Sequence, residues 1–161
     1  MKRNVGVGVD FSAGSEYALH WALSNLARDG DSIFLIYVNN DVDYGEGALW
    51  MEGGAPLVPM EEIGNPILAS KYGLKFSAES LERAKMVANH KNLTVALKVY
   101  WGDARDKVCR AESDLHLHCL VVGSRGMGTL QRVIIGSVSE YVICNAACPV
   151  TVVKTPHHCL E

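Results

Sequence analysis

Gly123-Ser-Arg-Gly126-Met-Gly-Thr-Leu-Gln-Arg-Val-Ile-Ile-Gly136-Ser137 stands toward the end of a chain of 161 residues. The apolar run Cys119-Leu-Val-Val122 before it reads as a buried strand, and Val138 to Ala147 after it reads as a helix. Glycines allow the backbone to approach an anion closely. A helix start adds unpaired N–H groups and a favourable dipole. Strand, glycine loop and helix in that order form a phosphate cradle, and a phosphate cradle predicts a nucleotide.

Outward from the cradle, strands and helices alternate. Asn4-Val-Gly-Val-Gly-Val9 is a first strand, closed by Asp10-Phe11-Ser12, with Ser12 a suitable N-cap. From Ser15 to Arg28, Tyr17, Ala18, Trp21, Ala22 and Leu26 recur at helical spacing, and Asp29-Gly30-Asp31 supplies a stop. Ile33-Phe-Leu-Ile-Tyr-Val38 is a second strand, apolar throughout, as in a parallel sheet covered on both faces. Between Asn39 and about Asn65 the pattern dissolves into glycines, Pro56, Pro59, Tyr44 and Trp50, an insert too long for an ordinary connection and read as a functional loop or lid. Helical spacing returns from Pro66 to about Asn89, with Gly73 marking a kink or break. Leu93 to Tyr100 is the third strand, and Trp101-Gly102-Asp103 a turn in which Asp103 caps a helix through Glu112. Cys119–Val122 is the fourth strand. Val150-Thr-Val-Val153 is the fifth, after Cys148-Pro149, whose proline ends the last helix. The order predicts an α/β fold: a five-stranded parallel sheet with helices on both faces, binding its ligand beyond the carboxyl ends of the strands.

Composition narrows the function. A net charge of −3 disfavours an electrostatic nucleic-acid binder. No long uncharged apolar stretch predicts a membrane span, and Lys2-Arg3-Asn4 leads directly into a strand, leaving no room for a signal peptide. Five cysteines (Cys109, Cys119, Cys144, Cys148, Cys159) form no CxxC pair, and with two of them in apolar patterns they are expected as reduced core residues of a cytoplasmic protein. Residues 1–155 are expected as one domain, with the insert at about 40–65 and a loose tail at 156–161.

Three strand ends meet at the predicted crevice. They deliver Val9 and Asp10, Val38 and Asn39, and Gly123 with its loop. Asp10 suits a ribose hydroxyl, an adenine amine or a metal near phosphates; equally, it suits the turn into the first helix. Ser137 and Ser139 offer hydroxyls and amides to phosphate, while Ser137 with Glu140 also matches the S-x-x-E capping box. Glu140 adds negative charge that Arg125 and Arg132 could offset, although each arginine suits a solvated surface at least as well as a phosphate. His116-x-His118 lacks a third metal ligand, Cys144 and Cys148 fit core and helix end, and His20 a helix face. A Walker loop and the dinucleotide fingerprint are both missing.

The motif resembles the G-x2-G-x9-G-[ST] of ATP-binding universal stress proteins: Gly123, Gly126, Gly136 and Ser137 match every fixed position. The likeness extends to Val7-Gly-Val-Asp10-Phe-Ser12, Gly102-Asp103 and Cys148-Pro149-Val150-Thr-Val-Val-Lys154, and the insert looks most like the plant single-domain members. The resemblance implies an adenine nucleotide alpha hydrolase-like sheet of order 3-2-1-4-5 and a homodimer through Val150–Val153. It places adenine near Val9, Asp10 and the backbone of Val38, and ribose against Asp10 and Gly123. Phosphates would rest on Gly126, Gly136, Ser137, Val138 and Ser139. It implies ATP or AMP as ligand, Mg²⁺ with ATP, and a dimeric stress-response regulator with a protein partner. No general base or lysine suggests more than slow hydrolysis. The alternative from another class is a redox-responsive chaperone controlled through Cys144, Cys148 or Cys159. A third class, the related adenylating enzymes, carries an S-G-G-x-D-S loop that Ser12-Ala-Gly14-Ser15 echoes faintly.

Overall fold

A computed structural model describes residues 1–41, 52–125 and 135–156. Five parallel strands form where the apolar runs lie: β1 (Asn4–Val9), β2 (Ser32–Asn39), β4 (Thr94–Trp101), β5 (Cys119–Gly123) and β6 (Val150–Val153). The order β4-β2-β1-β5-β6 is the one expected. The sheet nevertheless has six strands. A two-residue β3 (Val58–Pro59) runs antiparallel on β4, pairing Val58 with Leu97, so the sheet is mixed at that edge.

β3 belongs to the insert and corrects its reading as a loop or lid throughout. Gly54 takes a left-handed φ of 71°, and a Cβ there would stand 2.5 Å from the Val99 carbonyl oxygen; only glycine fits. Ala55 N–H then donates to that oxygen at 2.8 Å, and Lys98 Nζ donates to the Ala55 carbonyl at 2.6 Å. The end of the insert thereby covers the open edge of β4. A short α2 (Met60–Ile63) follows, burying Met60 and Ile63. Tyr44 and Trp50 lie outside the described residues.

Alternation along each strand sorts the core into two layers. Val5, Val7, Val9, Ile33, Leu35, Val95, Leu97 and Val99 face one side, under α1 (Ala13–Trp21) and α4 (Ala78–His90). Ile36, Tyr100, Leu120 and Val122 face the other, under α5 (Ala104–Asp114) and α6 (Ser137–Asn145). Ser12 caps α1 by accepting from Ser15 N–H, and Asp103 caps α5 by accepting from Arg105 N–H, both as expected.

The helical stretch over 66–89 breaks at Gly73, one of the two outcomes that glycine allowed: α3 (Pro66–Tyr72) ends at a left-handed Gly73, and α4 restarts behind Ser77, which accepts from Ser80 N–H. Other local readings need correction. Trp101 is not a turn residue but the buried last residue of β4, edge-on to Tyr72 at 5.8 Å. The last helix stops at Asn145, before the proline credited with ending it. His20 lies on a buried face of α1, and its Nε2 is 3.0 Å from Ser80 Oγ, tying α1 to α4.

After Trp21 the first helix widens into a π-helical turn, Ala22–Leu26, whose last carbonyls need donors. Lys91, just past α4, supplies them: its ammonium donates to the carbonyls of Leu23, Ser24 and Ala27 at 2.7, 2.8 and 3.2 Å. Lys91→Met removes three charge-assisted bonds but keeps the aliphatic stem. We expect a loss of about 1–2 kcal/mol in urea unfolding, with an unchanged m-value.

Candidate functional site

The cleft forms where the topology reverses. From β1 the chain winds outward through β2 to β4, then crosses back to place β5 on the other side of β1. Beyond the carboxyl ends of these strands, connections leave in opposite directions and a crevice opens. It measures about 170 Å³.

Of the ten residues the sequence nominates, nine line it: Val9, Asp10, Val38, Gly123, Arg125, Gly136, Ser137, Val138 and Ser139. The tenth, Gly126, and the offsetting Arg132 lie outside the described residues. Asn39, at the end of β2, turns away. It is buried, and its Nδ2 donates to the Tyr72 carbonyl at 3.1 Å.

Asp10 sits in a built turn. Its Oδ1 accepts from Ser12 N–H at 3.0 Å and from the Ser12 hydroxyl, while its own N–H donates to Ser15 Oγ at 2.9 Å. Phe11 between them holds a left-handed φ of 64°, a conformation a bulky side chain rarely adopts. Its ring is fixed against Tyr37 at 4.7 Å and Phe76 at 4.8 Å. Tertiary packing thus holds the turn that aims Asp10.

On the opposite wall, α6 starts directly at the cleft. Gly136 is its N-cap, and no described side chain caps it. This corrects the capping-box reading. Ser137 is the first helical residue and is exposed, and Glu140 N–H donates to the Gly136 carbonyl at 2.9 Å. The first amides of α6 have no intrahelical acceptor by the geometry of a helix start. Ser139 is buried and its hydroxyl donates to the Gly123 carbonyl, so it locks the helix to the end of β5. Gly136 N–H donates to the Ser124 carbonyl, and Ser124 N–H to the Val153 carbonyl at 2.9 Å, which joins the α6 start to β6.

Sequence reasoning missed the rest of the lining. Ile36, Val122, Ala104 and Val108 give the cleft an apolar wall, the last two from α5. Gly8 also lines it: a Cβ there would stand 3.3 Å from Val122 Cγ1, on the face where β1 puts glycine and its neighbours put valine and isoleucine. Glycine alternating with valine in a central strand was the available signal.

The sequence model of the Universal stress protein family matches residues 1–154. This chain belongs to that family. Universal stress protein PHOS32 of Arabidopsis thaliana is 30% identical to it over 164 residues, covering 96% of this chain. The chain spans 66% of that relative's length and 63% of the similar PHOS34. Among solved structures, a universal stress protein family protein from Arabidopsis thaliana with AMP bound superposes at a TM-score of 0.58 and 20% identity, over 97% of this chain and 94% of that one. A universal stress protein in complex with cAMP gives 0.56 and 19%, over 96% and 98%. At such identities these two likenesses speak for the fold.

The remaining candidates of this universal stress protein sit apart from the cleft. Cys144, expected in the core, is exposed on α6, while Cys109, Cys119 and Cys148 are half-buried free thiols; Cys159 lies outside the described residues. Burial pushes all three half-buried thiols up, Cys148 to about 11 with help from Glu112, which keeps them protonated and poorly nucleophilic at neutral pH. His118 Nδ1 accepts from Asn4 N–H at 2.9 Å, and no metal-holding cluster of His, Cys, Asp or Glu occurs among the described residues. No helix of the described residues is long and apolar enough to cross a membrane.

Proposed function

We propose that the cleft binds an adenine nucleotide, ATP or AMP, and that the protein is a nucleotide-controlled regulator in the stress response. The observation that carries this reading is one cleft with two chemically distinct ends. Ile36, Val38, Val108 and Val122 offer an apolar slot for a flat base, and the α6 start at Gly136–Ser139 offers amides and a positive dipole for phosphate. Asp10 lies between strand end and helix start, where a ribose hydroxyl would meet a carboxylate. The AMP- and cAMP-bound relatives of the same fold support the choice of adenine. Mg²⁺ would arrive on the triphosphate, with Asp10 the one carboxylate among the described lining residues.

Signalling to a partner protein fits a ligand contacted by α6, because α6 is hydrogen-bonded through Ser124 to β6. β6 is half-exposed and, among the described residues, pairs on one side with β5. A second copy pairing along Val150–Val153 would cover that edge.

Calorimetric titration with ATP, AMP and cAMP tests the reading, and silence from all three ends it. Val38→Phe places a ring in the base slot. Affinity for every adenine ligand should fall about 30–100-fold, the loss of roughly 2–3 kcal/mol of apolar burial. Val38 is half-exposed, so stability should stay within about 1 kcal/mol. Wild-type affinity in the variant would move the base out of this slot.

A further inference from the structure

Gly14 costs α1 something that needs a return. It is the second residue of that helix, and it lies where alanine would be preferred by intrinsic propensity. The return is a backbone-to-backbone contact. A Cβ on Gly14 would stand 2.9 Å from the Arg125 carbonyl oxygen, closer than side-chain carbons approach such atoms, and 3.5 Å from Thr155 Oγ1. The contact is reciprocal, for a Cβ on Gly123 would stand 3.1 Å from the Gly14 carbonyl oxygen and 3.4 Å from Ser15 N. Two glycines, one on α1 and one at the end of β5, therefore let the first turn of α1 lie directly on the backbone of Gly123–Arg125.

That backbone is what the cleft depends on. The Gly123 carbonyl accepts from Ser139 and the Ser124 carbonyl from Gly136 N–H, so the α6 start is hung from the segment that Gly14 abuts. We propose that Gly14 is a positioning residue for phosphate: it sets how deeply the Gly123–Arg125 backbone, and with it the α6 start, sits in the cleft. Gly14 is not itself among the lining residues, so it acts through the contact and not on the ligand. The inference rests on the nucleotide reading above and concerns the phosphate end of the site. The base slot, built from Ile36, Val38, Val108 and Val122, is carried by other residues.

Gly14→Ala tests it. The methyl group forces the Arg125 carbonyl outward by a few tenths of an ångström while favouring helix α1. ATP should bind about 10-fold more weakly, adenosine within about twofold of wild type, and the melting temperature should fall by a few degrees at most, the helix preference for alanine offsetting part of the cost of moving backbone. Adenosine is measured by competition against a fluorescent ATP analogue. Wild-type ATP affinity in the variant overturns the inference while leaving the nucleotide reading intact, and so does an equal loss for ATP and adenosine. Failure of the wild-type protein to bind either ligand strikes at the nucleotide reading itself. Should the variant not fold, amide exchange in the wild-type protein decides: ATP should slow exchange at Gly14 and Ser15 more than adenosine does, and equal slowing overturns the inference.

Discussion

Asp31→Ala should lower the free energy of unfolding by about 3–5 kcal/mol, the cost of leaving a buried charge without its partner. Asp31 is 1% exposed at the amino end of β2. It accepts from Arg3 N–H at 3.1 Å, from Arg3 Nε and Nη2 at 3.1 and 2.6 Å, and from Arg28 N–H at 3.0 Å. Arg3 Nη2 also donates to the Leu26 carbonyl at 2.9 Å, and the Asp31 carbonyl accepts from Thr94 N–H at 3.0 Å. One carboxylate thus joins the starts of β1 and β2 to the exit of the first helix, while the Asp31 backbone carbonyl holds the start of β4. Alanine leaves a mostly buried guanidinium and two backbone donors facing an empty site, and an uncompensated buried charge costs more than the pair ever contributed. Against a typical total of about 5–15 kcal/mol the loss is severe, and the melting temperature should fall by on the order of 10 °C. Urea unfolding checks it. Arg3→Met combined with Asp31→Leu should cost less than Asp31→Ala alone, since both charges leave together. A loss below about 1 kcal/mol in the single variant would mean that water reaches the site and screens the pair.

The same residue sets part of the acid limit. Burial pushes the Asp31 carboxyl up, but the Arg3 guanidinium and the Arg28 and Arg3 amides outweigh it and hold the group below the usual carboxylate value. A depressed carboxyl contributes stability fully above its unfolded value near 3.8, and the contribution fades as pH falls through the folded value. His20 acts earlier. Burial, then the nearby Arg83, lowers its pKa against a weaker opposing pull from Glu16, so the folded protein keeps the ring neutral. Its contribution is complete above the unfolded value of 6.5 and declines below it, as the unfolded chain takes up a proton the folded one resists. Stability should therefore fall from about pH 6 downward, then again below about pH 4.

The sheet was legible because a parallel sheet covered on both faces must write its strands as apolar runs, and residues 33–38, 119–122 and 150–153 do so. The glycine spacing of residues 123–137 carried the family resemblance because all its fixed positions lie in one continuous stretch of sequence. β3 was not legible. It holds two residues, one of them Pro59, and exists through pairing with a strand about forty positions away. The apolar wall from α5 was hidden for a related reason: Ala104 and Val108 stand among Arg105, Asp106 and Lys107, and nothing local says that this stripe meets the crevice. Ser137 was misread as a cap because S-x-x-E is satisfied from Ser137 to Glu140, while the backbone puts Gly136 one position earlier in that role. The sequence pattern cannot see which residue leaves helical geometry first.

That shift of one residue makes Ser137→Asp the most discriminating change at the site, because its two effects have opposite signs. Ser137 is exposed at the first helical position of α6 and lines the cleft. A carboxylate there faces the positive end of the helix dipole and should stabilise the empty protein by about 0.3–1 kcal/mol. For a bound phosphate the same carboxylate is a rival and a like charge. At 4 Å with an effective dielectric near 20 the repulsion is about 4 kcal/mol per pair of unit charges, and exposure with salt screening brings it to roughly half. ATP affinity should therefore drop about 30–100-fold, AMP affinity less, and adenosine affinity hardly at all. The ATP penalty should shrink as salt is raised, which a purely steric effect would not do. Calorimetry at two ionic strengths, beside a thermal melt, reads all of this. If ATP binds the variant as tightly as wild type, phosphate does not lie at the start of α6. A loss shared equally by adenosine would instead mean that the substitution disturbs the base slot. Only the combination of a more stable empty protein and a charge-dependent loss of ATP separates a phosphate-binding helix start from one that is merely well folded.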